Sequence, residues 1–236
     1  MDVTSGHGSC RAQLKAGCKL DTLRACGDDF LPYAKKTQLE SSGDEMKRSC
    51  EEQNKQITCG AKFVDDCMEG LTKAIALPVA DGFKRNVEHA CNETLEEHEQ
   101  KTVSCMNTAG EKLNSCWKTL REDVQKAVIK APTDQVVFYT CCSFYDMVSC
   151  ANQSLTPCES SSSRQQALDS LFGVYRRSQS MVCGNYTEGS QACEALPKLP
   201  DLDANDRKIE NYVELLAETA IAVGRTKSRE VPSYKK

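Results

Sequence analysis

The spacing of the cysteines constrains this chain more than any other feature of its sequence. The 236 residues include 15 cysteines. The intervals of Cys18-x7-Cys26-x23-Cys50 recur unchanged in Cys59-x7-Cys67-x23-Cys91, and two expanded copies follow as Cys105-x10-Cys116-x24-Cys141 and Cys150-x7-Cys158-x24-Cys183. An incomplete copy starts at Cys193, and Cys10 precedes the first copy. Paired intervals that recur together indicate a duplicated unit of roughly 40–50 residues.

The chemistry of so many cysteines depends on the compartment. In a reducing cytosol they usually bind metal through CxxC pairs or cysteine–histidine clusters. The sequence has no CxxC pair, and its three histidines complete no ligand spacing, so we expect neither a metal site nor a cofactor. The alternative is a secreted, extracellular protein with disulfide bonds. Three N-glycosylation sequons, which begin at Asn92, Asn152 and Asn185, agree with secretion.

Hydrophobic residues recur at helical intervals along most of the chain. These patterns predict helices over 61–77, 84–130, 134–156 and 204–224, and Leu168, Leu171, Phe172 and Tyr175 mark another. A single helix over 84–130 would be about 70 Å long, so we expect a break near Asn107–Gly110. Breakers fall at 41–44, 78–82, 132 and 157–163, the 159–164 stretch is a polar connector, and 184–203 is irregular.

The sequence therefore predicts an all-α protein, a disulfide-rich helical repeat array or bundle of about five to six helices. We expect one disulfide-linked helical domain over residues 1–236. Its repeat units would cover roughly 10–49, 50–90, 91–140, 141–182 and 183–236.

A connector that folds back would bring the cysteines at the two ends of each long interval together. This idea predicts the bonds Cys26–Cys50, Cys67–Cys91, Cys116–Cys141 and Cys158–Cys183, with Cys18–Cys59 and Cys105–Cys150 between the same helices. Paired residue numbers in an antiparallel hairpin have nearly constant sums. Cys26–Cys50 and Cys18–Cys59 satisfy this criterion together, as do Cys116–Cys141 and Cys105–Cys150, whereas the fourth copy fits less well. Cys10–Cys67 satisfies the same criterion, so the scheme is not unique.

The adjacent cysteines Cys141 and Cys142 point about 100° apart on a helix. We expect Cys141 to bond within its repeat and Cys142 to reach Cys193, so that the two cysteines join one helix to neighbours on two sides. Cys10 is then the odd cysteine, which would be free, bound to a small thiol or bonded to another chain.

The cysteine block from Cys141 onward runs CC-x7-C-x7-C and continues as CGNY-x6-C to Cys193. This block resembles cysteine-rich secreted proteins of arthropods such as ticks and spiders, which are similar to the insect twenty-seven-kilodalton haemolymph glycoprotein family. The resemblance is clearest from Tyr139 to Cys193. It implies an extracellular, helical, disulfide-bonded glycoprotein, and it supplies no catalytic residues.

Several classes of site are absent from the sequence or fit it poorly. It contains no HExxH, GxSxG, P-loop or dinucleotide fingerprint, and we expect no thiol–imidazole pair at His89 and Cys91 in an oxidised chain. Asp201, Asp203 and Asn205 resemble the start of a calcium loop but lack its later ligands, so we expect this acidic cluster to cap the following helix.

Charge and hydropathy limit the partners. The formal net charge is −4 with both signs interspersed, which argues against a nucleic-acid groove. No run of 18 apolar residues suggests a membrane span. The first ten residues lack an apolar signal-peptide core, so we expect the numbering to begin at a mature N-terminus.

The expected function is therefore that of a non-enzymatic secreted glycoprotein with a structural or binding role in an extracellular fluid or secreted material, such as haemolymph, saliva or silk. One alternative is an extracellular carrier of small hydrophobic ligands or lipids. Another is a protease inhibitor or immune-modulating protein that would use the 184–203 segment. The partner would be an unknown protein or a small hydrophobic ligand, and a disulfide-linked or non-covalent oligomer stays open.

Overall fold

The computed structural model describes residues 14–40, 43–92, 97–158, 161–175 and 182–230, and within these ranges the backbone forms α-helices without a β-strand. The predicted all-α, disulfide-rich fold is confirmed. The helices are α1 (Leu20–Arg24), α2 (Gly43–Cys67), α3 (Gly70–Asn92), α4 (Glu97–Thr108), α5 (Gly110–Lys130), α6 (Val136–Ser154), α7 (Ser161–Phe172), α8 (Gln191–Glu194) and α9 (Tyr212–Glu230).

Two predicted features of the helices are correct. The long hydrophobic pattern over 84–130 is interrupted where α4 ends at Thr108 and α5 begins at Gly110, inside the predicted break. Helix α6 occupies nearly the whole of the predicted 134–156 segment.

The predicted helix over 61–77 is wrong, because the pattern crosses a turn. Helix α2 ends at Cys67, and Gly70 begins α3 with a positive φ of 56°, a conformation that glycine adopts at little cost. Met68, between the two helices, is buried and pairs its backbone with Leu14 in an isolated bridge. Apolar side chains are buried on both sides of this turn, with Phe63 and Val64 in one cluster and Ile75 in another, so the periodicity continues although the helix does not.

Two predicted breakers also lie inside helices. Pro78 is within α3, although proline removes a backbone donor and crowds the preceding turn. Ala80 and Phe83, which follow it, are buried, and their packing outweighs the local preference. Helix α7 begins at Ser161, inside the predicted polar connector.

The last helix begins later than predicted and is capped differently. The backbone N–H of Tyr212 donates to the buried carboxylate of Asp28 at 2.7 Å, and that of Glu214 donates to the side chain of Asn211 at 2.9 Å. The predicted cap by the acidic cluster that begins at Asp201 and Asp203 is wrong. The carboxylates of this cluster, together with that of Asp206, pair instead with lysines of α5: Lys126 with Asp201, and Lys130 with Asp203 and Asp206.

Among the described residues, seven disulfides join helices and the segments beside them, and twelve of their cysteines form two sets with the same pairing pattern. In each set the first cysteine bonds to the fifth, the second to the fourth and the third to the sixth. Their sequence separations are 49, 33 and 41 in residues 18–91 (the first unit) and 53, 34 and 42 in residues 105–183 (the second unit). The bonds are Cys18–Cys67, Cys26–Cys59 and Cys50–Cys91, then Cys105–Cys158, Cys116–Cys150 and Cys141–Cys183.

Six of the predicted pairs are therefore wrong, although all of their cysteines are bonded. They are Cys26–Cys50, Cys67–Cys91, Cys116–Cys141, Cys158–Cys183, Cys18–Cys59 and Cys105–Cys150. The disulfide connectivity repeats over six cysteines, so the predicted three-cysteine repeat is half of the unit that the bonds define.

The angular positions of the cysteines around their helices explain why the observed pairs differ from the predicted ones. Cys50 and Cys59 lie nine residues apart in α2, which is about two and a half turns, so they occupy opposite faces. Cys59 faces Cys26, and Cys50 faces Cys91 in α3. The same nine-residue interval separates Cys141 from Cys150 in α6, with the same consequence.

The structure contains the predicted Cys142–Cys193 bond. The prediction for Cys10 falls outside the described residues. Because Cys141 and Cys142 bond to different segments, the adjacent cysteines do join α6 to two separate parts of the chain, as expected, although Cys141 bonds to Cys183 rather than to Cys116.

Buried hydrophobic residues form three clusters rather than one core. The largest extends from Phe30 and Trp117 to Tyr212, a second surrounds Leu23, Phe63 and Met68, and a third includes the Cys141–Cys183 bond. Helices α3 and α9 each contribute buried residues to all three clusters, so both helices connect them.

Candidate functional site: an apolar cavity between the two units

A cavity of about 160 Å³ lies where the three hydrophobic clusters meet. Helices α2 and α3 of the first unit form one side with residues such as Val64 and Ile75. Helix α6 of the second unit contributes Val137 and Phe144, and α9 contributes residues from Val213 to Val223. The cavity is therefore built from both disulfide-bonded units and from the helix that follows them.

The cavity exists because several of the residues that line it have small side chains. Gly60, Ala76, Ala80, Ala217 and Ala220 line the cavity at positions where the three helices α2, α3 and α9 approach one another. These residues allow the backbones to pack closely, but they are too short to fill the centre. A carbon placed at the Cβ position of Gly60 would meet its nearest neighbour, Leu23, only at 3.9 Å.

Four aromatic rings from four parts of the chain form one wall, which we call the aromatic wall. Phe30 and Phe83 meet edge to face with their centroids 5.2 Å apart, and Phe83 meets Tyr175 in the same way at 5.3 Å. Tyr175 also contacts Phe144 at 5.0 Å. Burial raises the pKa of the Tyr175 phenol well above its ordinary value, so this ring is neutral at any physiological pH.

Two threonines, Thr140 of α6 and Thr219 of α9, place aliphatic hydroxyl groups in the mostly apolar lining, and we call them the hydroxyl pair. Their Oγ1 atoms lie 3.5 Å apart. Thr140 donates to the carbonyl of Val136 at 2.9 Å, and Thr219 donates to that of Leu215 at 3.1 Å. No charged residue belongs to the described lining.

The Cys141–Cys183 disulfide is part of the cavity wall. Cys142 is absent from the described lining and points away to Cys193, which lies in α8. One of the two adjacent cysteines therefore helps to enclose the cavity, while the other anchors the 184–203 segment.

The 184–203 segment is held at further points on the surface. The Tyr139 hydroxyl donates to the carbonyl of Pro197 at 2.6 Å, and Phe138 stacks on Tyr186 with centroids 4.2 Å apart. Most of its residues are exposed. The segment proposed as an inhibitory loop is thus attached to α6 by a disulfide, a hydrogen bond and a ring stack.

A second concavity, of about 400 Å³, opens between α2, α3, α4 and α7. Its lining mixes apolar residues with Asp29, Glu40 and His89, and it includes the Cys50–Cys91 bond. Cys91 has no thiol to pair with His89, because it is already bonded.

The glycosylation sequons occupy surface positions where the structure describes their side chains. Asn152 is exposed near the end of α6, and Asn185 is exposed in a turn. Of Asn92 only the backbone is described, at the last position of α3.

The described residues contain neither a candidate metal site nor a candidate membrane-spanning helix. Within the described ranges, no group of three or more histidine, cysteine, aspartate or glutamate residues could hold a metal ion. None of the helices described is long and apolar enough to cross a membrane.

Comparisons with known proteins add no assignment, since no family model, curated protein or solved structure matches the chain.

Proposed function

We propose that this chain is a secreted, non-enzymatic glycoprotein that binds a small hydrophobic molecule in the cavity between its two disulfide-bonded units. The observation that carries the proposal is an apolar cavity with an aromatic wall and no charged residue in its described lining. Apolar pockets with a few convergent polar groups are the usual sites for small ligands.

The energetic cost of the cavity supports this proposal. Apolar side chains that border unfilled space lose packing contacts, and this loss destabilises the folded protein. Native domains are stable by only about 5–15 kcal/mol. A ligand that restores the missing contacts would offset this cost, whereas a protein with a purely structural role would gain from filling the space with larger side chains.

The disulfides and sequons support an extracellular setting. Disulfides persist in oxidising compartments, and Asn152 and Asn185 are accessible to glycosylation. The resemblance to arthropod haemolymph and secreted proteins points the same way, and we propose an extracellular fluid or secreted material as the place of action.

A thermal-shift experiment with toluene as the probe tests the proposal. A ligand that binds only the folded state raises its apparent stability by RT ln(1 + [L]/Kd). We expect saturating toluene to raise the Tm, followed through the fluorescence of Trp117, the single tryptophan of the chain. The rise should level off with concentration, because a defined cavity becomes saturated whereas non-specific partitioning does not.

Gly60→Leu provides the decisive variant, because its side chain would occupy the cavity. Leucine also favours the helix more than glycine does, so the variant should fold and lose the response to toluene. Thr58→Leu, exposed on the same helix, is the matched control and should keep it. A wild-type Tm that toluene leaves unchanged, or an equal rise in Gly60→Leu, would overturn the proposal.

A further inference from the structure

We infer that the cavity selects a small neutral phenol, which is a single aromatic ring with a hydroxyl group, over hydrocarbons of the same size. This inference rests on the proposed function and adds the chemical class of the ligand. It follows from the charge, the dimensions and the hydrogen-bonding state of the lining.

The lining excludes ionised ligands. Its described residues are aliphatic and aromatic side chains, a disulfide and the hydroxyl pair, without a lysine, arginine, aspartate or glutamate. A carboxylate or ammonium group buried there would lose its hydration without gaining an opposite charge. Fatty acids and amines in their ionised forms are therefore poor candidates.

The size and shape of the cavity favour a single ring. Its volume of about 160 Å³ is close to that of the engineered apolar cavity, about 150 Å³, that binds benzene. The aromatic wall has rings already arranged edge to face, as with Phe83 between Phe30 and Tyr175. A further ring can join this arrangement with favourable quadrupole contacts.

The hydroxyl pair provides acceptors rather than donors. Each threonine has one hydroxyl proton, and the carbonyls of Val136 and Leu215 are within hydrogen-bond distance of these hydroxyls. If one hydroxyl donates to the other across the 3.5 Å gap, its proton is still used within the protein. In either state the free lone pairs accept hydrogen bonds, so they suit a ligand that brings an O–H.

Position strengthens this assignment. Thr219 is buried, with 9% of its surface exposed, and the pair joins α6 of the second unit to α9. A ligand hydroxyl that binds there would be shielded from water. Because of this shielding, the hydrogen bond distinguishes a ligand that has a hydroxyl group from one that lacks it.

The test compares phenol with toluene, which has a methyl group in place of the hydroxyl. Calorimetric titration gives both dissociation constants for the wild type and for the double variant Thr140→Val/Thr219→Val. We expect the preference for phenol relative to toluene to fall about tenfold in the double variant, while toluene affinity stays the same or improves. Toluene binding by the variant also shows that its cavity is intact.

Thr119→Val is the matched control. Thr119 is exposed on α5, and its hydroxyl donates to the carbonyl of Ser115 at 3.2 Å, the same local bond that Thr140 and Thr219 make. This variant should leave the phenol-to-toluene ratio unchanged.

The outcomes separate the inference from the function on which it rests. If the wild type binds toluene and the double variant keeps the wild-type ratio, the preference for a phenol is wrong and an apolar binding site stands. If the wild type binds neither compound, both the inference and the proposed function are wrong.

Discussion

Gly110 begins α5 where the chain leaves no room for a side chain. A Cβ there would lie 1.8 Å from the carbonyl oxygen of Thr37. The loop that carries Thr37 cannot withdraw easily, because Leu39 exchanges hydrogen bonds of 2.8 and 3.0 Å with the side chain of Asn107. Asn114 also donates to the carbonyl of Tyr33 at 2.8 Å.

Gly110→Ala should therefore destabilise the fold by about 1–3 kcal/mol, the usual cost of overpacking. Urea denaturation followed by Trp117 fluorescence measures this cost. Gly60→Ala is the matched control, since its nearest contact is 3.9 Å away and alanine favours the helix. Equal stability of the two alanine variants would show that the loop does not press on α5 as described.

Asp123 on α5 provides a pH-dependent prediction. Burial raises the pKa of its carboxyl above the ordinary 3.8, Lys126 partly offsets this rise, and Asp146 and Glu122 add to it. A carboxylate whose pKa is raised by folding destabilises the folded state when it is charged. This penalty is fully present above the folded pKa and disappears as the pH falls below the unfolded value.

Asp123→Asn should accordingly raise the urea midpoint at pH 7, and the difference from the wild type should vanish near pH 3. Glu51→Gln, an exposed change on α2, should alter the midpoint little at either pH. A decrease in stability of Asp123→Asn at pH 7 would contradict the direction of the pKa shift.

Helix α9 differs from the other long helices because no disulfide can hold it: the last cysteine of the sequence is Cys193. Buried polar contacts hold it instead. The guanidinium of Arg24 donates to both carboxylate oxygens of the buried Glu214 at 2.8 and 2.9 Å. Asp28, itself fully buried, caps Tyr212 and pairs with Lys35.

Asp28→Ala should therefore loosen α9 more than the rest of the protein. The loss of a hydrogen bond to a buried charged group costs about 2 kcal/mol, which corresponds to roughly 30-fold faster amide exchange in this helix. Hydrogen exchange read by mass spectrometry resolves the effect by segment. Asp201→Ala, which removes a surface partner of Lys126, is the control. Uniform acceleration across α2, α3 and α9 would mean that Asp28 supports the whole core and not this helix in particular.

At the level of elements, much of the helical architecture can be read from the sequence. The periodicity identifies α6, and it identifies the break between α4 and α5. It fails at Met68, because apolar side chains are buried on both sides of that turn, and at Pro78, because tertiary packing outweighs the local preference. The disulfide pairing can be predicted only in part from the sequence. The nine-residue interval from Cys50 to Cys59 places the two cysteines on opposite helical faces, which indicates that they bond to different neighbouring segments.

At the scale of the whole molecule, the cavity depends on how three hydrophobic clusters meet, and this is not encoded in any local pattern. Gly60, Ala80 and Ala220 are ordinary helix residues in the sequence and become lining residues only when α2, α3 and α9 converge. Thr140 and Thr219 are far apart in the sequence, and only the fold makes them a pair. The proposed binding site therefore depends on long-range packing, whereas the disulfides fix the two units that contribute to its lining.

The most direct test of an apolar binding cavity between these units is its location by methyl NMR during titration with toluene. Binding in the cavity should produce saturable shifts in the methyl signals of Leu23, Ile75, Val137 and Val223, which line the cavity from α1, α3, α6 and α9. The methyl signals of Val128 and Ile209, which are not among its lining residues, should change little. Shifts confined to methyl groups outside the cavity, or no saturable shift at all, would contradict an apolar binding cavity between the two units.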